Sequence, residues 1–385
     1  MSRVVVIYNN VKKRQPIPIT RPTLERFAAY APLFKHTLKR GMLTGGAHGR
    51  ELEERAARYL KVKHCVAVSS CTAGLMLVLK GLGLKGEVIM PSFTFCASGL
   101  PVLWNNLKPV FADIDPHTYT LDPAAVKKLI TKKTSAILAT HVFGAVCDVR
   151  ALERIARKHN LKLVYDAAHA FGSSLGARKA GSFGHAEVFS MSPTKVLTAG
   201  EGGIVATNDT ALAEFVRRGR NYGDDGSNNI MFAGLSARMP ELSAAVGLRS
   251  FAKLGQNLKR RRAHAKALAL GLAKVEPLLR FQKVPKGSST TYKDFSIYID
   301  AKLLGYTRDT LHDFFGSHGV ATRKYFYPPL HRQRAYKGLR SGALPVTGEV
   351  SRNVLSLPMY AHLTKQDIGR IIRVFKQFYD ERGTR

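Results

Sequence analysis

Two side chains near the middle of the chain have the types and spacing that covalent cofactor chemistry needs. Asp166 directly follows a short β-forming run, Leu161–Tyr165. Lys195 comes shortly after a second run of this kind, Ala186–Ser190. Because ligands bind at the carboxyl ends of parallel strands, an acid and a lysine delivered there by neighbouring strands could face one crevice. The pair suits pyridoxal phosphate (PLP): the lysine forms a Schiff base, and the acid keeps the pyridinium nitrogen protonated.

Each of these residues also has an ordinary structural interpretation. A lysine before a glycine-rich turn is usually a solvated surface lysine, and an aspartate at a strand end often caps the next helix. The turn itself, with Gly200, Gly202 and Gly203, would let a flat ring lie close to the backbone. Taken singly, these residues leave both interpretations open. The surrounding sequence is needed to choose between them.

The elements that must position this pair alternate between strands and helices. Such alternation predicts an α/β fold with a mainly parallel sheet that helices cover on both faces. The length of 385 residues is enough for one large and one small domain. We expect an N-terminal arm and helix over 1–40, a large cofactor-binding domain over 41–250, and a small C-terminal α+β domain over 251–385.

Three pieces of sequence around the pair are similar to a known family. They are DAAHAFGS (Asp166–Ser173), GSFGHAEVFSMSPTK (Gly181–Lys195) and GEGG (Gly200–Gly203). Together they resemble the DegT/DnrJ/EryC1/StrS sugar aminotransferases, which are fold-type I PLP enzymes, and the resemblance covers nearly the whole chain. It implies a large domain with a seven-stranded type of sheet. It also implies amino transfer from an amino acid, expected to be L-glutamate, to a nucleotide-linked keto-sugar, expected to be a 4-keto-6-deoxyhexose.

The resemblance assigns roles to individual residues. Lys195 would carry PLP and act as the catalytic base and acid, and Asp166 would contact the ring nitrogen. Thr72 is expected to open a helix, whose first N–H groups can bind phosphate. The other implied cofactor contacts are Ala73 and Ser190 at the phosphate, Phe95 stacked on the ring, and His169 at the ring hydroxyl or over the ring plane.

The sequence departs from the family at Ser236. Many members have asparagine at this position, where it reaches the cofactor phosphate across a homodimer interface, and a serine hydroxyl has a shorter reach. We therefore expect a homodimer in which the contact of Ser236 is in question. Candidate substrate contacts are Arg238 in the same segment, and Tyr325 and His331 in or beside the loop RKYFYPPL.

Two rival functions remain open. Some relatives are sugar dehydratases in which the lysine is replaced, whereas Lys195 is present here. The other rival is a basic nucleic-acid-binding or regulatory protein, because 60 Lys and Arg against 27 Asp and Glu give a net charge of +33. No nucleic-acid-binding motif accompanies this charge. Nucleotide sugar and glutamate are therefore the expected partners, nucleic acid is not, and the charge is left without an explanation.

The cysteines and the apolar pattern bear on the compartment. Cys65, Cys71, Cys96 and Cys147 lack C-x-x-C spacing and have apolar neighbours, which predicts reduced thiols, no metal site and a cytoplasmic protein. No apolar run reaches bilayer length, so no membrane partner is expected.

Overall fold

The computed structural model describes residues 15–383, and its alternating strands and helices confirm the predicted α/β class. Residues 1–14, part of the expected N-terminal arm, lie outside the described range. The strands are β1 His64–Val68, β2 Glu87–Pro91, β3 Lys108–Ala112, β4 Thr134–Thr140, β5 Lys162–Asp166, β6 Ser174–Leu175, β7 Arg178–Lys179, β8 Ala186–Ser190, β9 Gly203–Thr207, β10 Arg280–Phe281, β11 Ser288–Ser289, β12 Phe295–Tyr298 and β13 Val354–Leu357. The α-helices are α1 Ala31–Arg40, α2 Ala47–Leu60, α3 Cys71–Gly81, α4 Cys96–Trp104, α5 Pro123–Leu129, α6 Val149–Lys158, α7 Thr210–Gly219, α8 Glu241–Ala252, α9 Leu254–Val275, α10 Ala301–Leu304, α11 Arg308–Ser317, α12 Pro345–Asn353 and α13 Lys365–Gly383.

Seven strands form one large sheet in the order β1-β9-β8-β5-β4-β2-β3. The neighbouring pairs from β3 across to β8 are parallel, and β9 runs antiparallel to both β8 and β1. The sheet is therefore mainly parallel and seven-stranded, as predicted. Parallel neighbouring strands need crossover connections. The helices that form these connections pack against both faces of the sheet. One apolar core includes residues of α3, α4 and α7, and the other includes residues of α2, α5, α6 and α8.

A smaller unit follows in the C-terminal third of the chain. Strands β10, β12 and β13 form an antiparallel sheet, and α9, α11 and α13 contribute to its apolar core. Ile17 belongs to the same core and forms a bridge with Val320, which ties the described end of the arm to this unit. The predicted boundary at residue 250 falls near the end of α8, and it stays a prediction.

The remaining expectations concern reduced cysteines and membrane-spanning segments. All four cysteines are free thiols, and Cys65, Cys71 and Cys147 are buried. Within residues 15–383, no helix is both long enough and apolar enough to cross a membrane.

The sheet topology brings the two predicted chemical residues to one edge. Asp166 is the last residue of β5, and Ser190 is the last residue of the neighbouring strand β8. Both strands run in the same direction, so their carboxyl ends open on the same side. Lys195 lies in the loop that leaves β8, and its own N–H donates to the carbonyl of Ser192 at 3.0 Å.

Candidate active site

A cavity of about 310 Å³ opens at the carboxyl ends of β5 and β8. Its walls come from both of these strands, from the start of α3 and from the loop before α4. Six of the residues predicted from the sequence line it, namely Thr72, Phe95, Asp166, His169, Ser190 and Lys195. The acid and the lysine therefore face one crevice, as their positions after neighbouring strands predicted.

The carboxylate of Asp166 is held by three donors, and only 4% of the residue is exposed. Ser98 Oγ donates to Oδ2 at 2.5 Å, and the N–H of Ala168 donates to Oδ1 at 3.0 Å. The thiol of Cys71 lies 3.9 Å from Oδ1. Burial, together with the charge of Asp166, raises the pKa of Cys71 well above its usual value, so Cys71 stays a thiol.

A chain of buried hydroxyl groups leads to this carboxylate. Thr94 Oγ1 lies 2.7 Å from Ser98 Oγ and 3.3 Å from Thr140 Oγ1. An ionised carboxylate only accepts hydrogen bonds, so Ser98 must give its proton to Asp166. Ser98 Oγ can then accept from Thr94, which in turn can accept from Thr140. Every hydroxyl dipole of the chain thus points toward Asp166 and stabilises its negative charge.

The amine of Lys195 is half-buried, and no ion pair or side-chain hydrogen bond holds it within residues 15–383. Burial and the positive charge of Lys293 lower the pKa of Lys195 from 10.5 to about 8, and the carboxylates of Asp294 and Asp166 oppose this shift. Lys293 and Asp294 form a buried ion pair with 2.9 Å between Nζ and Oδ1. A large share of the Lys195 amines is therefore neutral near pH 8, and the neutral amine is the nucleophilic form.

His169 presents one defined ring nitrogen to the cavity. The backbone N–H of Phe143 donates to His169 Nδ1 at 3.2 Å, and the hydroxyl of Thr291 donates to the His169 carbonyl at 2.6 Å. Burial and the charges of Lys195 and Lys293 lower the pKa of His169 well below its usual value. The ring is therefore neutral. Because Nδ1 accepts a hydrogen bond, the proton is on Nε2, which is a donor.

The start of α3 corrects one detail of the sequence interpretation. The helix begins at Cys71, one residue before the predicted opening at Thr72, and its N-cap is Ser70. Ser70 Oγ accepts from the N–H of Ala73 at 3.1 Å. Ser70 and Thr72 line the cavity, whereas Ala73 does not. The predicted phosphate contact of Ala73 would therefore use an N–H that already has a partner, and it stays a prediction.

A second cavity of about 520 Å³ adjoins the first, and both are lined by Thr94, Phe95 and Phe326. Tyr325 lines the second cavity together with Arg323 and Lys324. Phe95 is 57% exposed, so its ring face is available to a ligand.

His331 lines neither of these two cavities. Its Nδ1 lies 2.7 Å from the hydroxyl of Ser92, and its N–H donates to the same hydroxyl at 2.9 Å. These contacts connect the loop at His331 to Ser92, which is a structural role. The structure therefore does not bring His331 to the candidate site.

Ser236 and Arg238 also lie away from the Lys195 cavity. Ser236 is exposed and accepts a hydrogen bond from the hydroxyl of Tyr222 at 3.1 Å. Arg238 lies over the Tyr222 ring and lines a separate cavity of about 350 Å³. Within one chain, neither residue is placed to contact a ligand bound beside Lys195.

The residues of the first cavity fit PLP. Asp166 is buried, and it has no cation within ion-pair distance among residues 15–383, so its charge is available to a protonated ring nitrogen. Lys195 offers an amine with a lowered pKa, Phe95 offers an aromatic face, and the start of α3 suits a phosphate.

Sequence reasoning missed the residues that support Asp166. Ser98, Thr94 and Thr140 are small hydroxyl residues with no distinctive spacing, and 68 positions separate Ser98 from Asp166. The only local signal is that Thr94 and Ser98 stand four positions apart. Thr94 lies just before α4, and Ser98 lies in its first turn. For Cys71, the sequence predicts only a reduced thiol.

Comparisons with known proteins identify the family. The model of the DegT/DnrJ/EryC1/StrS aminotransferase family matches residues 28–376. A dTDP-4-amino-4,6-dideoxy-D-glucose transaminase from Escherichia coli is 31% identical over 363 residues, which cover 93% of this chain and 97% of that protein. A GDP-perosamine synthase from Caulobacter vibrioides is 33% identical, with coverages of 85% and 89%. The crystal structure of DesI in the presence of its TDP-sugar product superposes with a TM-score of 0.90 at 37% identity, with coverages of 95% and 93%.

Proposed function

This chain belongs to the DegT/DnrJ/EryC1/StrS aminotransferase family, and we propose that it moves an amino group from L-glutamate to a nucleotide-linked keto-sugar. The observation that carries the proposal is the shared cavity of Lys195 and Asp166. The cofactor is PLP. The acceptor is a 4-keto-6-deoxyhexose, because amination of that ketone yields the kind of sugar named for the E. coli relative.

Lys195 and Asp166 divide the chemistry between them. Lys195 would hold the cofactor in the resting enzyme. Once free, its Nζ would act first as the general base that takes the proton from the donor Cα and then as the general acid that gives it up again. When bound, PLP supplies the electron sink for this proton transfer. Asp166 would hold the proton on the ring nitrogen, and the hydroxyl chain through Ser98 holds the carboxylate in place.

The other residues of the cavity orient the cofactor. Phe95 would stack on the ring, and His169 would donate from Nε2 to the ring hydroxyl. Thr72 and Ser190 would hold the phosphate near the start of α3, and Ala73 would join them if its N–H is shared with Ser70.

Arg323 is the residue best placed to recognise the diphosphate of the acceptor. It lines the adjoining cavity, is exposed, and forms no ion pair within the described chain. Its neighbour Lys324 also lines this cavity, but its amine is 2.7 Å from a carboxylate oxygen of Asp309. A guanidinium can bind two phosphate oxygens at once. Arg323→Gln should therefore raise KM for the nucleotide sugar more than Lys324→Gln does, with little change in kcat.

A homodimer accounts for Ser236 and Arg238, which lie away from the Lys195 cavity of their own chain. Exposed apolar side chains on and near α1 support an interface, and they are Leu24, Phe27, Leu38, Met42 and Leu43. We place Ser236 and Arg238 near the cofactor of the second subunit. Mixing Lys195→Ala with an Arg238→Glu variant should then restore activity, whereas a fully active monomer in sedimentation would exclude this arrangement.

The decisive experiment is an amination screen with the purified protein, PLP and ¹⁵N-labelled glutamate. Nucleoside-diphosphate-linked 4-keto- and 3-keto-sugars are compared with a free keto-sugar, and Lys195→Ala is the control. Transfer of ¹⁵N to the 4-keto sugar nucleotide supports the proposal. Loss of water without transfer of nitrogen would favour the dehydratase alternative. Equal reaction of the free keto-sugar would show that the diphosphate is not recognised.

A further inference from the structure

The amino ends of the sheet strands carry a cluster of lysines at the edge opposite the active site. Lys85 stands shortly before β2 and Lys108 begins β3. Lys132 and Lys133 stand shortly before β4, and Lys127 and Lys128 are in the last turn of α5. We call these six residues the basic rim.

Backbone contacts hold the rim residues close together. The N–H of Glu87 donates to the carbonyl of Lys133 at 2.8 Å, and the N–H of Lys108 donates to the carbonyl of Gly86 at 2.8 Å. The beginnings of β2, β3 and β4 are therefore direct neighbours. The lysines of the rim, which are far apart in sequence, become one surface only through this parallel pairing.

The rim has no acidic partner of its own. All six lysines are exposed, and none forms an ion pair within residues 15–383. The nearby carboxylate of Glu87 is buried and already receives hydrogen bonds from Arg340 at 3.0 Å and from Thr131 at 2.9 Å. The positive charge of the rim is thus directed to solvent.

Trp104 stands shortly before Lys108 in the chain. It is the only tryptophan of the sequence, ends α4, and is 72% exposed. The side chain of the next residue, Asn105, donates to the carbonyls of Met76 and Pro101 at 3.1 Å and 2.8 Å, which fixes the turn that leads to Lys108. A tryptophan ring held at the protein surface next to lysines is typical of contact with the headgroup region of a bilayer.

We propose that the basic rim and Trp104 form a docking surface for an anionic lipid bilayer. Clustered lysines are attracted to anionic headgroups within a Debye length of the membrane, and the indole ring inserts at the interface. Base recognition in nucleic acids relies on arginine forks and an element that enters a groove. The rim consists of lysines, and Arg340 at its edge is bound to Glu87. The expectation of no membrane partner concerned a spanning segment, whereas this proposal concerns surface binding, and it is independent of the proposed reaction.

Vesicle binding tests the proposal directly with the full chain. Co-sedimentation and Trp104 fluorescence are measured with phosphatidylcholine vesicles and with vesicles that also contain phosphatidylglycerol, at low and at high salt. The protein should bind only the anionic vesicles, release at high salt, and shift its tryptophan emission to the blue on binding. Since the sequence has a single tryptophan, the emission reports on this surface alone.

Matched charge variants separate the rim from the overall charge. K108Q/K132Q/K133Q should weaken vesicle binding on the order of a hundredfold. K259Q/K266Q/K274Q, which removes three exposed lysines from α9, should leave it within about twofold of wild type, because these lysines lie outside the docking surface. Equal weakening by both variants would overturn the proposal, as would binding without a blue shift. Preferential binding of single-stranded or duplex DNA that displaces the vesicles would assign the rim to nucleic acid instead.

Discussion

The two ends of the large sheet carry charge in opposite ways. At the carboxyl ends, Asp166 is buried and Lys195 is half-buried, and the carboxylate is held by directed hydrogen bonds. At the amino ends, the lysines of the basic rim are exposed and unpaired within the described chain. A charge inside a protein interacts strongly with each neighbouring charge. An exposed charge is screened by solvent, so several exposed charges together are needed for a large effect. Single substitutions should therefore have large effects at the first end and small effects at the second.

The largest effect is expected from Asp166→Asn. Asparagine cannot stabilise the positive charge on the ring nitrogen, so kcat should fall on the order of 10²–10³-fold while PLP remains bound. Steady-state kinetics and the cofactor absorbance measure both quantities. Normal turnover of Asp166→Asn would reduce the aspartate to a structural role.

Asp113 provides the matched control for this substitution. It is also a buried aspartate that follows a strand of the same sheet, and its Oδ1 accepts from the N–H and the hydroxyl of Thr347 at 2.8 Å and 2.7 Å. It lines neither the Lys195 cavity nor the adjoining one. Asp113→Asn should lower the stability of the protein and leave kcat within about twofold.

A graded loss is expected along the hydroxyl chain. Ser98→Ala removes a hydrogen bond to a charged group, so kcat should fall about tenfold. Thr94→Val should have a smaller effect and Thr140→Val the smallest, because each is one step further from Asp166. Steady-state kinetics of the three variants measure this gradient. Equal losses in all three variants would indicate that the hydroxyls only pack.

The pKa of Lys195 can be measured without substrate. Competitive acetylation of the cofactor-free protein, read by peptide mass spectrometry with Lys259 as an exposed reference, should show Lys195 reacting with a midpoint near pH 8. Only the neutral amine reacts, so reactivity rises with pH through the midpoint and then levels off. Lys293→Met should raise the midpoint because it removes a nearby positive charge, and Asp294→Asn should lower it. A midpoint near 10.5 would show that burial does not perturb this lysine.

The extent to which these features could be predicted follows from their sequence separation. Asp166 and Lys195 could be predicted because each follows a strand pattern, and parallel strands align their carboxyl ends. The bond between Ser98 and Asp166 could not, because it depends on how α4 packs against a strand 68 positions away. The basic rim could not be predicted either. The net charge of the chain is visible in the composition, but the rim forms only where three strands begin side by side.

Three residues whose roles came only from the family resemblance are not brought to the Lys195 cavity. Ser236, Arg238 and His331 lie outside the Lys195 cavity of their own chain. No periodicity or spacing within one chain could place them near the cofactor. Their predicted roles depend on a second subunit or on the nucleotide sugar. The complementation experiment addresses Arg238, and the roles of Ser236 and His331 stay predictions.

The smallest effect is expected from a single substitution in the basic rim. It tests whether one exposed charge at the amino ends of the strands matters little for stability and activity. Lys133→Gln removes one exposed charge, which has no ion pair among the described residues, from a surface that faces away from Lys195. The change in the free energy of unfolding should stay within about 0.5 kcal/mol, and kcat and KM should not change. Lys133 interacts with the sheet through its carbonyl, which glutamine retains, so the hydrogen bond from Glu87 remains. Chemical denaturation and steady-state kinetics are sufficient. A loss comparable to that of Ser98→Ala would mean that the amino ends of the strands are coupled to the active site through the sheet.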